Sequence, residues 1–207
     1  MAVTTHLEAA YARWVAEGEP RDVNGSVPHE VKMFYVARTI TGSGARVFVE
    51  SGTSHGDGVA AILPYVDRVI TIEAWDEAFR FAAKRFKNEP KVQLLFGDSA
   101  EWLPRMWEPP ILSGYHIDEP AVFWLDAHYS GEGTAKLDKE TPIVAELEAI
   151  ARSPHAAAHS IVIDDARGFG VWPDYPPTPE MEAMCADLFP GHRFFLEGDE
   201  IFVVPLF

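Results

Sequence analysis

Apolar positions along the chain follow two spacings, and these predict most of its elements. Short runs rich in Val, Ile and Phe predict five strands, at residues 46–50, 69–73, 92–96, 121–126 and 160–164. Amphipathic stretches between them predict helices near 58–64, 76–86, 99–107 and 142–151. Within the second of these helices, the spacing of Phe79, Ala83 and Phe86 predicts the buried face.

Both ends of the chain carry further predicted elements. Thr5 and Glu8 form a capping-box pattern that predicts a helix over 5–17, and Pro28 suits the first position of a helix reaching about residue 39. After a helix near 179–188, the strand patterns 193–197 and 200–204 are separated by a Gly-Asp turn, which predicts an antiparallel hairpin. This order predicts an α/β fold, a three-layer αβα sandwich with a seven-stranded, mostly parallel Rossmann-like sheet.

Length and composition are those of one domain. With 207 residues, 47% of them apolar, we expect a single domain over 1–207, in which N-terminal helices (1–44) precede a cofactor-binding core (45–207). No apolar run approaches the ~18–20 residues that span a bilayer, no secretory signal is visible, and the single Cys185 fits a reducing cytoplasm. The net charge of −15 argues against nucleic acid, because phosphates are bound through Lys and Arg. We therefore expect a cytoplasmic protein with a small-molecule substrate and no membrane partner, and the sequence leaves a homo-oligomer open.

A strand, an acid and a glycine-rich turn follow one another in the first third of the chain. The strand ends in Glu50, and Gly52, Gly56 and Gly58 lead into the next helix. Glycines let the backbone turn tightly and approach a ligand closely. The following strand ends in Glu73, where an acid is well placed to accept hydrogen bonds from both ribose hydroxyls of a nucleoside. A nucleoside-cofactor site is therefore predicted at the carboxyl edge of the sheet.

The glycine spacing and the leading acid discriminate between cofactors. A dinucleotide fingerprint has the spacing G-x-G-x-x-G, because its backbone N–H groups cradle a pyrophosphate. Here the spacing is Gly52-x-x-x-Gly56-x-Gly58, and Glu50 stands just ahead of it. That carboxylate would repel a pyrophosphate but attract the ammonium and sulfonium of S-adenosylmethionine, which has no phosphate. The pattern favours S-adenosylmethionine over NAD.

Each predicted parallel strand ends in, or within two residues of, an acid: Glu50, Glu73, Asp98, Asp126 and Asp164. Ligands of open α/β sheets bind outside these carboxyl ends. Because clustered carboxylates suit Mg²⁺, Mn²⁺ or Ca²⁺, Asp126, Asp164 and Asp165 are candidate metal ligands. Alternatively, Asp126 binds the cofactor's amino group, while Asp164 and Asp165 act as caps or pair with Arg167.

A histidine follows the fourth strand. His128 lies two residues beyond Asp126, and a histidine there is suited to take a proton from a substrate hydroxyl near neutral pH. His128 and Asp126 are therefore the candidate catalytic residues, with a structural loop histidine as the alternative. Gly131 and Gly133, in a polar stretch over 127–141, predict a mobile lid.

Over roughly residues 45–207 the chain resembles the class I S-adenosylmethionine-dependent methyltransferases. The resemblance rests on the glycine loop with its leading acid, on Glu73, on Gly97-Asp98-Ser99 and on Asp126. It implies that Glu50 and the loop hold the methionine portion, Glu73 the ribose, and Asp98 with Ser99 the adenine edge. With adjoining positions, the candidate cofactor-binding residues are Glu50, Gly52, Thr53, Ser54, Gly56, Gly58, Glu73, Ala74, Asp98, Ser99 and Asp126.

Within that superfamily, the residues after strands four and five are similar to one group. Leu125-Asp126-Ala127-His128 and Ile163-Asp164-Asp165 look like the macrocin-type, metal-dependent sugar O-methyltransferases, which implies O-methylation with Mg²⁺ held against vicinal hydroxyls. The stretch 128–134 departs from that group. Sugar, phenol, carboxylate and amine acceptors all stay open, as do an NAD(P)-dependent oxidoreductase and a nucleoside-binding protein without catalysis.

Overall fold

The computed structural model describes residues 5–107, 114–127 and 141–206. Its strands are β1 (Val47–Ser51), β2 (Arg68–Glu73), β3 (Val92–Phe96), β4 (Ala121–Leu125), β5 (Ser160–Ile163), β6 (His192–Glu197) and β7 (Glu200–Pro205). Its α-helices are α1 (His6–Ala16), α2 (His29–Ser43), α3 (Asp57–Ile62), α4 (Asp76–Arg85), α5 (Ser99–Arg105), α6 (Ile143–Ala151) and α7 (Thr178–Leu188). None of the helices in these ranges is long and apolar enough to cross a membrane.

The seven strands form one sheet in the order β3-β2-β1-β4-β5-β7-β6. β7 runs antiparallel to both of its neighbours, β5 and β6, and the remaining neighbouring pairs are parallel. The chain builds outward from β1 to β3 and then returns to place β4 on the other side of β1. The strand order therefore reverses between β1 and β4, which is where open α/β sheets bind ligands. The predicted sheet with its C-terminal hairpin is confirmed.

Helices cover both faces of the sheet, and each face has its own apolar core. Along β1, Val47 and Val49 belong to the cluster that packs under α5, α6 and α7. Phe48, between them, belongs to the cluster under α1, α2 and α3. Alternate side chains of a strand point to opposite faces, so a strand such as β1, which is buried along its whole length, requires two covering layers. The three-layer sandwich follows from this pattern.

Most predicted helix ends are close to the observed ones, but α2 continues to Ser43, beyond its predicted end near residue 39, and the buried face of α4 differs from the prediction. The capping box of α1 forms, with the Glu8 amide donating to Thr5 and the Thr5 amide donating to Glu8. In α4, Ala78 and Ala82 are the buried residues, while Ala83 is exposed. The predicted face was therefore wrong. Short alanine side chains let the helix lie close against the sheet, whereas the larger Phe79 and Phe86 rings are half-buried and Phe81 is exposed.

Candidate active site

The carboxyl ends of β1, β4 and β5 are joined edge to edge by backbone hydrogen bonds. The Asp126 amide donates to the Ser51 carbonyl at 3.1 Å, and the Asp164 amide donates to the Leu125 carbonyl at 3.0 Å. The acids that follow these strands are thus brought to one edge of the sheet, as predicted from their sequence positions.

The glycine-rich turn folds back over the end of β2. The amides of Gly52 and Thr53 both donate to the Ile72 carbonyl, at 3.0 and 3.2 Å. Ser54 adopts a left-handed conformation with φ 48°, and its amide donates to Glu73 Oε2 at 2.7 Å. Strained backbone of this kind persists where the surrounding contacts hold it in place. This hydrogen bond joins the turn to Glu73, which lies 19 residues after Ser54 in the chain, so the turn and Glu73 form one unit.

The Glu73 carboxylate is held on both oxygens. Besides the Ser54 contact, Oε1 accepts a 2.7 Å hydrogen bond from the amide of Trp75. A carboxylate oxygen has two lone pairs, so each oxygen keeps capacity for a further donor such as a ribose hydroxyl. Ala74, between the two, is half-buried at the same edge.

Glu50 is almost completely buried at the end of β1, with 2% of its surface exposed. Its Oε2 accepts a 2.6 Å hydrogen bond from the hydroxyl of Thr71, which lies 2.5 Å from the hydroxyl of Thr53. Burial raises the pKa of Glu50 to about 8, although the Thr71 hydrogen bond opposes the shift, and the Asp126 carboxylate adds to it. A cation placed beside Glu50 would stabilise its ionised form.

Asp98 and Ser99 form the start of α5. Asp98 is the N-cap residue, and its Oδ1 accepts a 2.8 Å hydrogen bond from the Ala100 amide. Ser99 is buried, with 4% exposure, and the Gly97 amide donates to the Glu73 carbonyl. Helix capping thus explains the conformation of Asp98, and its role at an adenine edge stays a prediction.

Asp126, Asp164 and Asp165 come together as the sequence predicts. Each offers a carboxylate oxygen, and these oxygens all lie within 4.8 Å of one another. Asp164 and Asp165 are 6% and 3% exposed, and Asp126 is half-buried. Carboxylates this close repel one another, so the cluster needs nearby positive charge or protons.

Two basic side chains supply positive charge to this cluster. Lys32, which is 7% exposed on α2, places Nζ 2.7 Å from both oxygens of Asp164 and 3.6 Å from Asp165. Arg167 lies 2.5 Å from Asp165 and also pairs with Asp199. The predicted alternative of an Asp165–Arg167 pair is therefore present, and Asp164 pairs with a lysine that sequence reasoning did not find.

The pKa shifts of Lys32 and Asp164 reflect this arrangement. Burial opposes the charge on Lys32, but the contacts with Asp164 and Asp165 outweigh it, so the pKa of Lys32 is raised above its usual value. Burial and the neighbouring Asp126 carboxylate raise the pKa of Asp164, which the Lys32 ammonium opposes. The ammonium and the acids thus depend on each other for their charges.

A small cavity opens beside the acidic cluster, and further polar residues that the sequence reasoning missed line it. Thr141, Glu146 and Tyr175 share its wall with Asp126 and Asp164. Glu146 is 1% exposed, burial raises its pKa to about 7, and its Oε1 has no hydrogen-bond partner among the described residues. Both Glu146 and Lys32 are charged residues beside buried apolar positions of a helix, and this pattern in the sequence could have identified them.

His128 and nearly all of the predicted lid over 127–141 lie outside the described residues. His55, which belongs to the glycine-rich turn, is exposed and packs edge-on against Phe81 with ring centres 4.9 Å apart.

Comparison with known proteins relates the fold to solved structures. No protein-family model and no curated protein matches the sequence. A Podospora anserina methyltransferase solved with bound SAH matches with a TM-score of 0.58 and 14% identity over 98% of this chain and 88% of that chain. A Streptomyces achromogenes O-methyltransferase involved in tomaymycin synthesis, solved with SAM, matches with a TM-score of 0.57 and 16% identity over 98% and 91%. A Bacillus cereus O-methyltransferase in complex with SAH matches with a TM-score of 0.56 and 16% identity over 96% and 90%. The chain thus has the Rossmann-like fold of these methyltransferases.

Proposed function

We propose that this chain is an S-adenosylmethionine-dependent methyltransferase that methylates a hydroxyl group of a small molecule. The observation that carries the proposal is the buried carboxylate of Glu50, which lies beside a glycine-rich turn that is itself tied to Glu73. A sulfonium cofactor supplies the positive charge that this carboxylate lacks. Solved structures with the same fold hold SAM or SAH, which supports the same cofactor here.

In this proposal the cofactor lies across the carboxyl ends of β1, β2 and β3. The glycine loop with Thr53 and Ser54 approaches the methionine portion, and Glu50 provides its counter-charge. Glu73 accepts hydrogen bonds from the ribose hydroxyls, and Ala74 lies against them. Asp98 and Ser99 face the adenine edge, and Asp126 faces the sulfonium side.

The acceptor lies on the β4 and β5 side, next to the acidic cluster. Its oxygen attacks the methyl carbon in line with the sulfur, so that an O–CH₃ bond forms as the S–CH₃ bond breaks and S-adenosylhomocysteine leaves. Positioning of the two reactants supplies much of the acceleration in such a displacement. We assign the released proton to His128, which follows Asp126 by two residues in the sequence.

The geometry of α3 weighs against a dinucleotide cofactor. The helix begins at Asp57, an acid in its first turn that pairs with Arg85 at 2.7 Å. A pyrophosphate at this helix start would meet the Asp57 carboxylate and the nearby Glu50 carboxylate. S-adenosylmethionine carries no such anionic group.

Assistance by Mg²⁺ or Mn²⁺ stays a prediction from the sequence. The chemistry of the cluster suits a hard cation, since three carboxylates offer oxygens within 4.8 Å of one another. The position of Lys32 does not suit it, because its ammonium already contacts both oxygens of Asp164. A divalent ion would therefore have to displace Lys32 from Asp164.

Methyl transfer itself is the direct test of the proposed function. We expect label from methyl-labelled S-adenosylmethionine to appear on an acceptor from a panel of sugars and phenols, with stoichiometric S-adenosylhomocysteine. Carboxylate and amine acceptors serve as comparison. Transfer confined to amines would contradict O-methylation. Tighter binding of NAD than of S-adenosylmethionine would contradict the assignment of S-adenosylmethionine as the cofactor.

Replacing Glu73 by alanine should weaken S-adenosylhomocysteine binding by roughly 1–3 kcal/mol, the usual cost of removing hydrogen bonds to a charged acceptor. Calorimetry on the wild type and Glu73→Ala measures this difference. Glu77→Ala is the matched control, because Glu77 is an exposed acid on α4. If Glu73→Ala binds S-adenosylhomocysteine as tightly as wild type does, Glu73 does not bind the ribose hydroxyls.

A further inference from the structure

Lys32 is placed where the acidic cluster needs positive charge. It lies in the first turns of α2, outside the region 45–207 that resembles a methyltransferase core. Its ammonium nitrogen is 2.7 Å from each oxygen of Asp164 and 3.6 Å from an oxygen of Asp165. Only 7% of the residue is exposed, so solvent does little to screen these contacts.

A divalent ion in the same place would need the same oxygens. Mg²⁺, Mn²⁺ and Ca²⁺ lie about 2.0–2.6 Å from each carboxylate ligand. An ion shared by Asp126, Asp164 and Asp165 would therefore sit within a few ångströms of the Lys32 nitrogen, in a buried setting where like charges repel strongly. The ion and the ammonium compete for Asp164.

We propose that Lys32 supplies the resident positive charge of the Asp126–Asp164–Asp165 cluster, in place of a divalent metal ion, and acts as the positioning residue that holds Asp164 toward the acceptor. The positioning role of Lys32 in methyl transfer rests on the proposed function, whereas its exclusion of a divalent metal ion from the cluster does not.

The local backbone shows that the arrangement is tightly held. Asp165 has a left-handed conformation, with φ 57°, and its amide donates to Asp164 Oδ1 at 2.7 Å. Arg167 pairs with the same Asp165 oxygen that Lys32 approaches, and it also pairs with Asp199. A non-glycine residue stays in this conformation when its surroundings over-determine it. Lys32 and Arg167 together therefore fix both acids of the β5 end.

This assignment changes how the acceptor loses its proton. A bound divalent ion lowers the pKa of a hydroxyl that it coordinates. A lysine ammonium attracts the developing oxyanion less strongly because it carries a single charge. The proton must then pass to a base as the O–CH₃ bond forms, which is the part that we assign to His128.

Titration with Mn²⁺, followed by electron paramagnetic resonance, tests the proposal. Wild type should show no saturable site below ~1 mM Mn²⁺, the range of weak protein sites. Lys32→Met keeps an unbranched side chain that is shorter by one atom but removes its charge, and this variant should bind Mn²⁺ with a Kd lower by about tenfold or more. Lys91→Met is the matched control, because the Lys91 ammonium donates to the backbone carbonyls of Leu63 and Val66. It should behave as wild type.

A double variant keeps the test decisive if Lys32→Met does not fold alone. Lys32→Met combined with Asp164→Asn removes both members of the buried pair and should not gain the Mn²⁺ site. Wild type that binds Mn²⁺ in the micromolar range, or a double variant that binds as tightly as Lys32→Met, would overturn the proposal.

Turnover in excess chelator gives the corresponding functional readout. Undiminished transfer in the wild type supports the proposal, and loss that Mg²⁺ restores overturns it. If no methyl transfer is found and S-adenosylhomocysteine does not bind, the proposed function fails, whereas the Mn²⁺ titration still decides the role of Lys32.

Discussion

Gly52→Ala should destabilise the protein by roughly 2–5 kcal/mol and abolish cofactor binding in the same variant. Gly52 has φ +84°, and a Cβ there would lie 2.4 Å from the carbonyl oxygen of Asp126 and 3.2 Å from the Ala127 nitrogen. These are backbone atoms, so the β1 and β4 ends would have to separate. Chemical denaturation measures the change in unfolding free energy, and calorimetry measures S-adenosylhomocysteine affinity.

Gly44→Ala is the control for the backbone conformation alone. Gly44 ends α2 with φ +70°, and a Cβ there would meet no atom within 4 Å. Its replacement should cost only about 1 kcal/mol, the penalty for a left-handed non-glycine residue. If Gly52→Ala is no more destabilising than Gly44→Ala, the close approach of β1 and β4 is not what requires the glycine.

S-adenosylmethionine affinity should rise with pH by roughly tenfold per unit between about pH 6 and 7.5. Burial raises the pKa of Glu50 to about 8, so the unliganded protein carries a proton on Glu50 over this range. A sulfonium and an ammonium bind best to the ionised carboxylate, and binding therefore releases that proton. Calorimetry in buffers of different ionisation enthalpy measures both the affinity and the released proton.

Glu50→Gln should remove this pH dependence and leave a weak, nearly constant affinity.

The stability of the unliganded wild type should also depend on pH. An acid whose folded pKa lies above its unfolded value of 4.5 makes unfolding easier as the pH rises from about 4.5 to about 8, because the unfolded chain binds fewer protons. Burial raises the pKa of Glu146 to about 7 and that of Glu200 to about 8, which shifts stability in the same direction. If the affinity of the wild type for S-adenosylmethionine does not change with pH, Glu50 is not the counter-charge of the cofactor.

Local patterns in the sequence predicted the elements and their order along the chain. The period of two in strands and of about 3.6 in helices depends only on neighbouring residues, and the Thr5 and Glu8 capping box is equally local. The acids at the strand ends were also predictable, since the ends of parallel strands share one edge of a sheet. Asp126, Asp164 and Asp165 accordingly meet within 4.8 Å.

The tertiary structure alone decided which partners these acids have. Lys32 reaches Asp164 across 132 residues of sequence, and Thr71 reaches Glu50 from the neighbouring strand. Such contacts depend on helix placement and strand register, which no local pattern encodes. The same holds for α4, where closeness to the sheet selects Ala78 and Ala82 over the larger Phe residues. The sequence by itself determined the sheet, the glycine-rich turn and the acidic edge, because these follow from local patterns and from the shared edge of parallel strands. The packing of α2 against that edge determined that Lys32 pairs with Asp164.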